Sequence, residues 1–245
     1  MKKVLITGAN KSIGFEAAKQ LLKKGFYVYL GSRSLENGKE SVQQLKSAGF
    51  SNVEAIEIDV TNDESVKAAR TEIGKKSNVL DVLINNAGIS GGQPQQALNA
   101  TPEQFKKAFD TNVIGVARVT QAFIDLIKKS SEPRVVNVSS SQGSLTLAND
   151  QSNPYYNFKG AVYQPSKAAL NMYSIALAYE LRDTAVKVNM VDPGFTKTDF
   201  NNHRGTGSVE EAAARIVKYA LIDNDGPSGK FFSEEFYPEG VECPW

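Results

Sequence analysis

The sequence predicts an α/β protein built on a doubly wound, mostly parallel sheet of about seven strands flanked by helices. Three observations carry this. Short apolar runs of strand type alternate with amphipathic helical runs along most of the chain, as in a parallel sheet covered on both faces. The first run, Val4-Leu5-Ile6, leads at once into a turn holding Gly8 and Gly14, and that turn opens a helix. No internal repeat and no linker-like change of composition divides the chain, so residues 1–245 read as one domain.

Taken in order, Ile13, Ala17, Leu21 and Leu22 recur at helical spacing until Gly25, a suitable helix stop. Phe26 to Leu30 is a second strand, and a charged helix follows from Leu35 to Ala48. A third strand, Val53 to Ile58, runs into Asp59-Val60-Thr61-Asn62. Helix Glu64–Lys76, strand Leu80–Ile84 and the turn Asn85-Asn86-Ala87-Gly88 complete a β-α-β-α-β-α-β half. After the polar stretch Ser90 to Gln96, one long helical region spans Pro102 to Lys129. Arg134 to Val138 is a strand ending in Ser139-Ser140-Ser141. A helix runs from Tyr163 to Arg182, then strand Val186–Val191 and Asp192-Pro193-Gly194. Ser208 caps a helix reaching Leu221, with Glu211 at the capping-box position, and Lys230-Phe231-Phe232 is a last strand. This architecture is Rossmann-type.

With 245 residues, 41% of them hydrophobic and 22% charged, the composition is that of an ordinary globule. A net charge of +1 gives no footprint for nucleic acid or an acidic membrane surface. The apolar run after Lys2-Lys3 is too short for a secretory leader, and no stretch approaches a membrane span. Cys243 is the single cysteine, which rules out an intrachain disulfide and fits a reducing compartment. A cytoplasmic location is expected. His203 is the single histidine, and the acids are scattered without ligand spacing, so no metal site is expected.

The Gly turn points to a nucleotide. Backbone N–H groups and the positive end of a helix meet a phosphate there, with Gly8 and Gly14 giving backbone freedom and close approach. The end of the second strand selects the coenzyme. A carboxylate at that place suits a free ribose 2′-hydroxyl, whereas an arginine suits a 2′-phosphate. The chain reads Tyr29-Leu30-Gly31-Ser32-Arg33, without an acid. Arg33 offers a planar fork, and Lys11 in the Gly turn adds a second positive charge. NADP(H) is therefore favoured, with NAD(H) left open.

Tyr163 and Lys167 stand four apart on a helix and so share one face. A phenol titrates near ~10 in water, and a neighbouring ammonium is expected to lower that value. A second pair with the same spacing, Tyr155 and Lys159, lies just upstream, but Gly160 interrupts any helix begun there.

Taken together, Thr7-Gly8-x-x-x-Ser12-x-Gly14, Asp59-Val60, Asn85-Asn86-Ala87-Gly88, Asn112, Val138-Ser139-Ser140 and Tyr163-x-x-x-Lys167 fall in the order of the short-chain dehydrogenase/reductase family. The chain resembles that family over nearly its whole length. Asn10-Lys11, the closing Pro244-Trp245 and the 23 positions from Ser140 to Tyr163 look like its carbonyl-reductase branch. The resemblance implies an oxidoreductase that reduces a ketone or aldehyde with hydride from a nicotinamide coenzyme. It makes Tyr163 the proton donor and Ser140 the holder of the carbonyl, with Ser139 and Ser141 as alternatives. Lys167 would tune the tyrosine and bind the nicotinamide ribose, and Asn112 would hold a water that links the lysine to solvent.

The same resemblance implies coenzyme contacts at Gly8, Asn10, Lys11, Ser12, Ile13, Gly14, Arg33, Asp59, Val60, Asn86, Ala87, Gly88, Tyr163, Lys167, Pro193, Gly194, Thr196 and Thr198. Turn chemistry alone accounts equally well for Asp59 and Gly88. Ser12 departs from the small Gly or Ala usual there. Residues 144–162 and 195–208 are expected to wall the substrate site, with Tyr156, Phe158, Phe195 and Phe200 as candidate linings. The implied substrate is a small carbonyl compound, uncharged and partly apolar. The family commonly pairs through its long helices, as a homodimer or homotetramer, but an insertion like the one before Tyr163 interferes with that pairing in some relatives, so the assembly is left open. Two rival readings stand beside this one: an NAD-dependent secondary-alcohol dehydrogenase, and a nucleotide-sensing protein on the same fold.

Overall fold

The computed structural model describes residues 1–245. In chain order the elements are β1 (Lys3–Ile6), α1 (Ser12–Lys23), β2 (Tyr27–Ser32), α2 (Leu35–Ser47), β3 (Val53–Glu57), α3 (Asp63–Lys76) and β4 (Val82–Asn85). The second half holds α4 (Pro102–Phe109), α5 (Gly115–Ile127), β5 (Arg134–Val138), α6 (Leu145–Asn149), α7 (Tyr163–Glu180), β6 (Lys187–Asp192), α8 (Val209–Ala220) and β7 (Lys230–Ser233).

The seven strands form one sheet in the order β3-β2-β1-β4-β5-β6-β7, and every pairing is parallel. Alternation along each strand explains why helices cover both faces. Val4, Ile6, Val28, Leu30, Val82 and Ile84 pack beneath α1, α2 and α8. Their neighbours Leu5, Tyr29, Leu83 and Val135 pack beneath α3 and α5. Phe123 of α5 is fully buried there, a contribution of roughly 1.5–3 kcal/mol for one side chain. Parallel strands place all their C-terminal ends on one edge. The order reverses direction between β1 and β4, and a crevice at that reversal is where ligands of such sheets bind.

The elements differ from those expected in three places. The helical region expected from Pro102 to Lys129 is split by a π-helical turn, Asp110–Ile114, which contains Asn112. A π-turn widens the backbone spiral locally, and such turns recur at functional sites. Strand β4 begins at Val82 instead of Leu80, because the Leu80 N–H donates to the Leu126 carbonyl of α5. Residues 144–162, expected only as an insertion, contain the short helix α6, whose N-cap Ser144 accepts from the Leu147 N–H, followed by turns. The capping box expected at Ser208 and Glu211 is present at the start of α8.

Candidate active site

The Gly turn between β1 and α1 is bonded to the end of β4. Thr7 Oγ1 accepts from the backbone N–H of both Asn86 and Ala87, at 3.0 and 3.1 Å. Asn86 Nδ2 donates back to the carbonyls of Thr7 and Gly8 at 3.0 Å each. Gly8 has φ +62° and leaves its missing Cβ only 3.0 Å from Ala87 Cα. At Gly14 a Cβ would fall 2.6 Å from Asn86 Nδ2 and 2.7 Å from the Gly8 carbonyl. Both positions therefore require glycine, and together they leave a cradle open to a phosphate at the start of α1. Asn10, Lys11, Ser12 and Ile13 form its tip, held to α2 by the Ser41 hydroxyl, which donates to the Asn10 carbonyl at 2.7 Å. Ser12 has φ +51°, a left-handed conformation that a side chain adopts at a cost.

Arg33 is exposed immediately beyond β2 and makes no hydrogen bond or ion pair. Lys11 Nζ reaches across the crevice to Asp199 Oδ2 at 2.9 Å. His203 Nε2 stands 3.0 Å from the other oxygen of the same carboxylate. At the end of β3, Asp59 Oδ1 accepts from the N–H and hydroxyl of Thr61 at 2.9 and 2.7 Å. Its carboxylate thus does turn work. Val60 is buried, and its carbonyl accepts from Arg118 Nη1.

Helix α7 is held on the same edge. Its first N–H, that of Tyr163, donates to Gln95 Oε1 at 3.2 Å, which substitutes for a side-chain cap. Pro165 sits in the first turn, where a missing N–H does no harm. Ser166 Oγ donates to the Tyr163 carbonyl at 2.6 Å and accepts from Asn112 Nδ2 at 2.9 Å. Asn112 also donates to the Ile89 carbonyl and accepts from the Ile89 N–H, each at 2.9 Å. Both amide hydrogens of Asn112 are thereby used, and neither bonds its own helix.

The face of α7 turned to the sheet is polar, which the sequence reading missed. Lys167 Nζ donates to the Val138 carbonyl at 2.8 Å. Asn171 Oδ1 accepts from the Ser139 hydroxyl at 2.5 Å, and Ser174 Oγ accepts from Asn137 Nδ2 at 2.8 Å. Three consecutive residues, Asn137 and Val138 of β5 and Ser139 just beyond it, thus dock on Ser174, Lys167 and Asn171. The signal was available: these three recur at i, i+4 and i+7, the spacing of one helix face. The apolar residues Ile175, Ala176 and Leu177 further along α7 are only partly covered or exposed. Gly143 completes the arrangement, since a Cβ there would lie 2.8 Å from the Lys167 backbone carbon.

Of the three serines, Ser139 is committed to Asn171 and Ser141 is buried in the following 3-10 turn. Ser140 is the one beside the Tyr163 hydroxyl, where it favours the phenolate. Burial and the nearby Asp192 outweigh it and push the phenol above its ordinary range. The direction is opposite to that expected from a neighbouring ammonium. Lys167 Nζ stands 5.8 Å from the centre of the Tyr163 ring, and desolvation disfavours both charged forms. Burial pulls the lysine itself down to about 8, with Asp192 partly offsetting the shift. Gly88 faces the same space, its missing Cβ 3.6 Å from Lys167 Nζ and 3.4 Å from Asn112 Oδ1.

The competing pair does not converge. Tyr155 donates its hydroxyl to Glu235 Oε1 at 3.0 Å, whereas Lys159 donates to the Ala148 carbonyl and lies over the Tyr156 ring. Beyond β6, Gly194 has φ +86° and its N–H donates to Asp192 Oδ1 at 3.0 Å. From Pro193 the chain makes a pinched loop in which Thr196 pairs with Gly207 and Thr198 opens the 3-10 turn Asp199–Asn201. Phe200 of that turn meets the Tyr163 ring edge-on, centroids 5.4 Å apart.

The family model described as short chain dehydrogenase matches residues 2–208. The chain is 38% identical to the short-chain dehydrogenase anuI of Penicillium roqueforti, covering 89% of this chain and 87% of the relative. It is 31% identical to salutaridine reductase of Papaver somniferum, covering 93% of each. The solved structure of salutaridine reductase from that plant superposes with a TM-score of 0.83 over 95% of this chain and 99% of the other. The NADPH-bound carbonyl reductase from chicken fatty liver does so at 27% identity, also with a TM-score of 0.83, over 100% of this chain and 99% of its own.

Proposed function

The chain belongs to the short-chain dehydrogenase/reductase family, and we propose that it is an NADP(H)-preferring carbonyl reductase whose proton donor is Tyr163. Like its reductase relatives it is an oxidoreductase that turns a ketone or aldehyde into an alcohol. A bound reduced nicotinamide supplies the hydride, and the protein supplies orientation and electrostatics.

The observation that carries the reading is the convergence of Ser140, Tyr163 and a buried Lys167, its Nζ 5.8 Å from the Tyr163 ring centre, at the C-terminal edge of the sheet. Hydride addition builds negative charge on the carbonyl oxygen, and two donors fixed beside that oxygen meet the charge where it develops. A phenol pushed upward by burial stays protonated at neutral pH, as a proton donor for reduction must. Lys167 adds positive potential beneath the phenol and a donor for ribose hydroxyls. Asn112 acts through Ser166, which it bonds, by fixing the turn of α7 that carries Tyr163.

The coenzyme reading rests on the cradle at Gly8 and Gly14 and on the unpaired Arg33. Asn10, Lys11, Ser12 and Ile13 would border the phosphates, and Arg33 with Lys11 the 2′-phosphate. Asp59 and Val60 would border the adenine, and Asn86, Ala87 and Gly88 the floor of the crevice. Pro193, Gly194, Thr196 and Thr198 would meet the nicotinamide end. Residues 144–162 and the 195–208 loop would enclose an uncharged, partly apolar carbonyl compound, with Phe200 against the Tyr163 ring. A cytoplasmic location, and pairing of two copies through the outer face of α7 where Met172 and Tyr179 are exposed, belong to the same proposal.

A panel of aryl and alicyclic ketones and aldehydes assayed with NADPH and NADH tests it. Loss of absorbance at the reduced-nicotinamide band, faster with NADPH, is the expected result. Coenzyme binding without turnover of any carbonyl would favour the nucleotide-sensing alternative instead.

A further inference from the structure

Tyr155 is the aromatic half of the pair that α7 leaves unused, and it is not idle. Its hydroxyl donates to Glu235 Oε1 at 3.0 Å, and its ring packs edge-on against Phe195 and Phe236. The other oxygen of Glu235, Oε2, accepts the backbone N–H of Phe195 at 3.1 Å. One carboxylate therefore joins three segments that are distant in sequence. They are the insertion after β5, the loop after β6, and the C-terminal stretch after β7.

The surroundings make this carboxylate costly to hold. Glu235 is half-buried, and burial together with the neighbouring Asp192 pushes its carboxyl above the ordinary glutamate range, with the Phe195 N–H, the Tyr155 hydroxyl and Arg215 partly offsetting. Asp192 has its own partners, accepting from the Gly194 N–H at 3.0 Å and the Ser233 hydroxyl at 2.6 Å. Arg215 Nη1 donates to the Pro193 carbonyl at 2.8 Å. Three of these contacts fall on Pro193-Gly194-Phe195: Glu235 holds the Phe195 N–H, Asp192 the Gly194 N–H and Arg215 the Pro193 carbonyl. A partly desolvated carboxylate beside a second one costs free energy unless the donors it receives compensate.

We infer that Glu235 is a positioning residue for the nicotinamide half of the coenzyme, setting the backbone of Pro193-Gly194-Phe195-Thr196 through Phe195 and bracing it on the insertion through Tyr155. The inference rests on the reading that this loop meets the nicotinamide end. Because the clamp lies at the end of β6, far along the sheet from β1 and β2, its loss falls on one half of the coenzyme only. The adenosine half, bound at the Gly turn and Arg33, is unaffected.

The test compares NADPH with 2′,5′-ADP, which lacks the nicotinamide half, by titration calorimetry on the full-length protein and on Glu235→Ala, Glu235→Gln and Tyr155→Phe. Glu235→Ala, which loses both acceptors, is expected to weaken NADPH roughly tenfold while 2′,5′-ADP stays within about twofold. Glu235→Gln keeps an acceptor for the Phe195 N–H and an amide that the Tyr155 hydroxyl can accept, so it recovers most of the loss. Tyr155→Phe weakens NADPH less than Glu235→Ala does. Retained 2′,5′-ADP binding also reports that each variant is folded. Equal losses for the two ligands, or no loss for NADPH, overturn the assignment of Glu235. Wild-type protein that binds 2′,5′-ADP but gains nothing from the nicotinamide half overturns the functional reading and the assignment with it.

Discussion

Lys11 and Asp199 are joined across the mouth of the crevice at the C-terminal edge of the sheet, Nζ to Oδ2 at 2.9 Å, although 188 positions separate them in the chain. The pair ties the tip of the Gly turn to the loop beyond β6, and His203 shares the same carboxylate. Phe200, the next residue, lies on the Tyr163 ring. One short turn thus touches both the proposed phosphate cradle and the proposed proton donor.

Because Asp199 competes with a phosphate for Lys11, Asp199→Asn should tighten NADPH binding. Exposed pairs couple weakly, so the change expected is about two- to fivefold. It should shrink as salt rises. Fluorescence titration at two ionic strengths measures it, and weaker binding in the variant would show that the pair assists the coenzyme instead of competing with it.

Arg33 has no partner in the protein, so its charge is free for a 2′-phosphate. Arg33→Asp should raise the KM for NADPH far more than that for NADH. Steady-state kinetics with both coenzymes decides this, and equal changes would remove the argument for NADP(H).

Tyr163→Phe deletes the proposed proton donor and leaves the ring. Turnover should fall by about two to four orders of magnitude, the usual worth of a positioned acid, with coenzyme binding kept. Tyr155→Phe should hold kcat within a few fold at saturating coenzyme, since its hydroxyl faces Glu235. The reverse pattern would move the chemistry to the other tyrosine.

Lys167 titrates near about 8 when folded, well below a free lysine. Its positive charge is present below that pH and lost above it, so kcat for reduction should fall as pH rises through about 8. Lys167→Met should abolish that inflection along with most activity. Stability has its own sign. The unfolded chain binds the extra proton between the folded value and about 10.4, so this group's contribution to stability grows as pH rises across that window. Rate profiles and thermal melts from pH 6 to 10 test both statements.

Ser12 holds φ +51° at the first position of α1. Left-handed backbone costs a residue with a side chain about 1–2 kcal/mol, part of which glycine's greater unfolded freedom cancels. Ser12→Gly should therefore raise Tm by a few degrees, and calorimetry reads it. A lower Tm would mean that the serine side chain offsets the strain.

The alternation of apolar runs determined the α/β class and the parallel sheet, because burial on both faces of a strand demands it. Gly8 and Gly14 marked the tight turn between β1 and α1, since only glycine tolerates those approaches. Ser208 with Glu211 marked the start of α8 for an equally local reason. Tyr163 and Lys167 could be placed on one helix face because i and i+4 are neighbours whatever surrounds them.

Other features were decided only when distant segments met. The break in the helix at Asn112, the polar docking of Lys167, Asn171 and Ser174 on β5 and Ser139, and the Glu235 bridge all join residues far apart in the chain. The direction of the Tyr163 shift was set the same way. Proximity along a helix suggests that an ammonium should lower a phenol, but desolvation depends on everything packed around the pair, and here it prevails. Periodicity carries information about near neighbours along the chain, whereas burial and charge come from the assembled molecule.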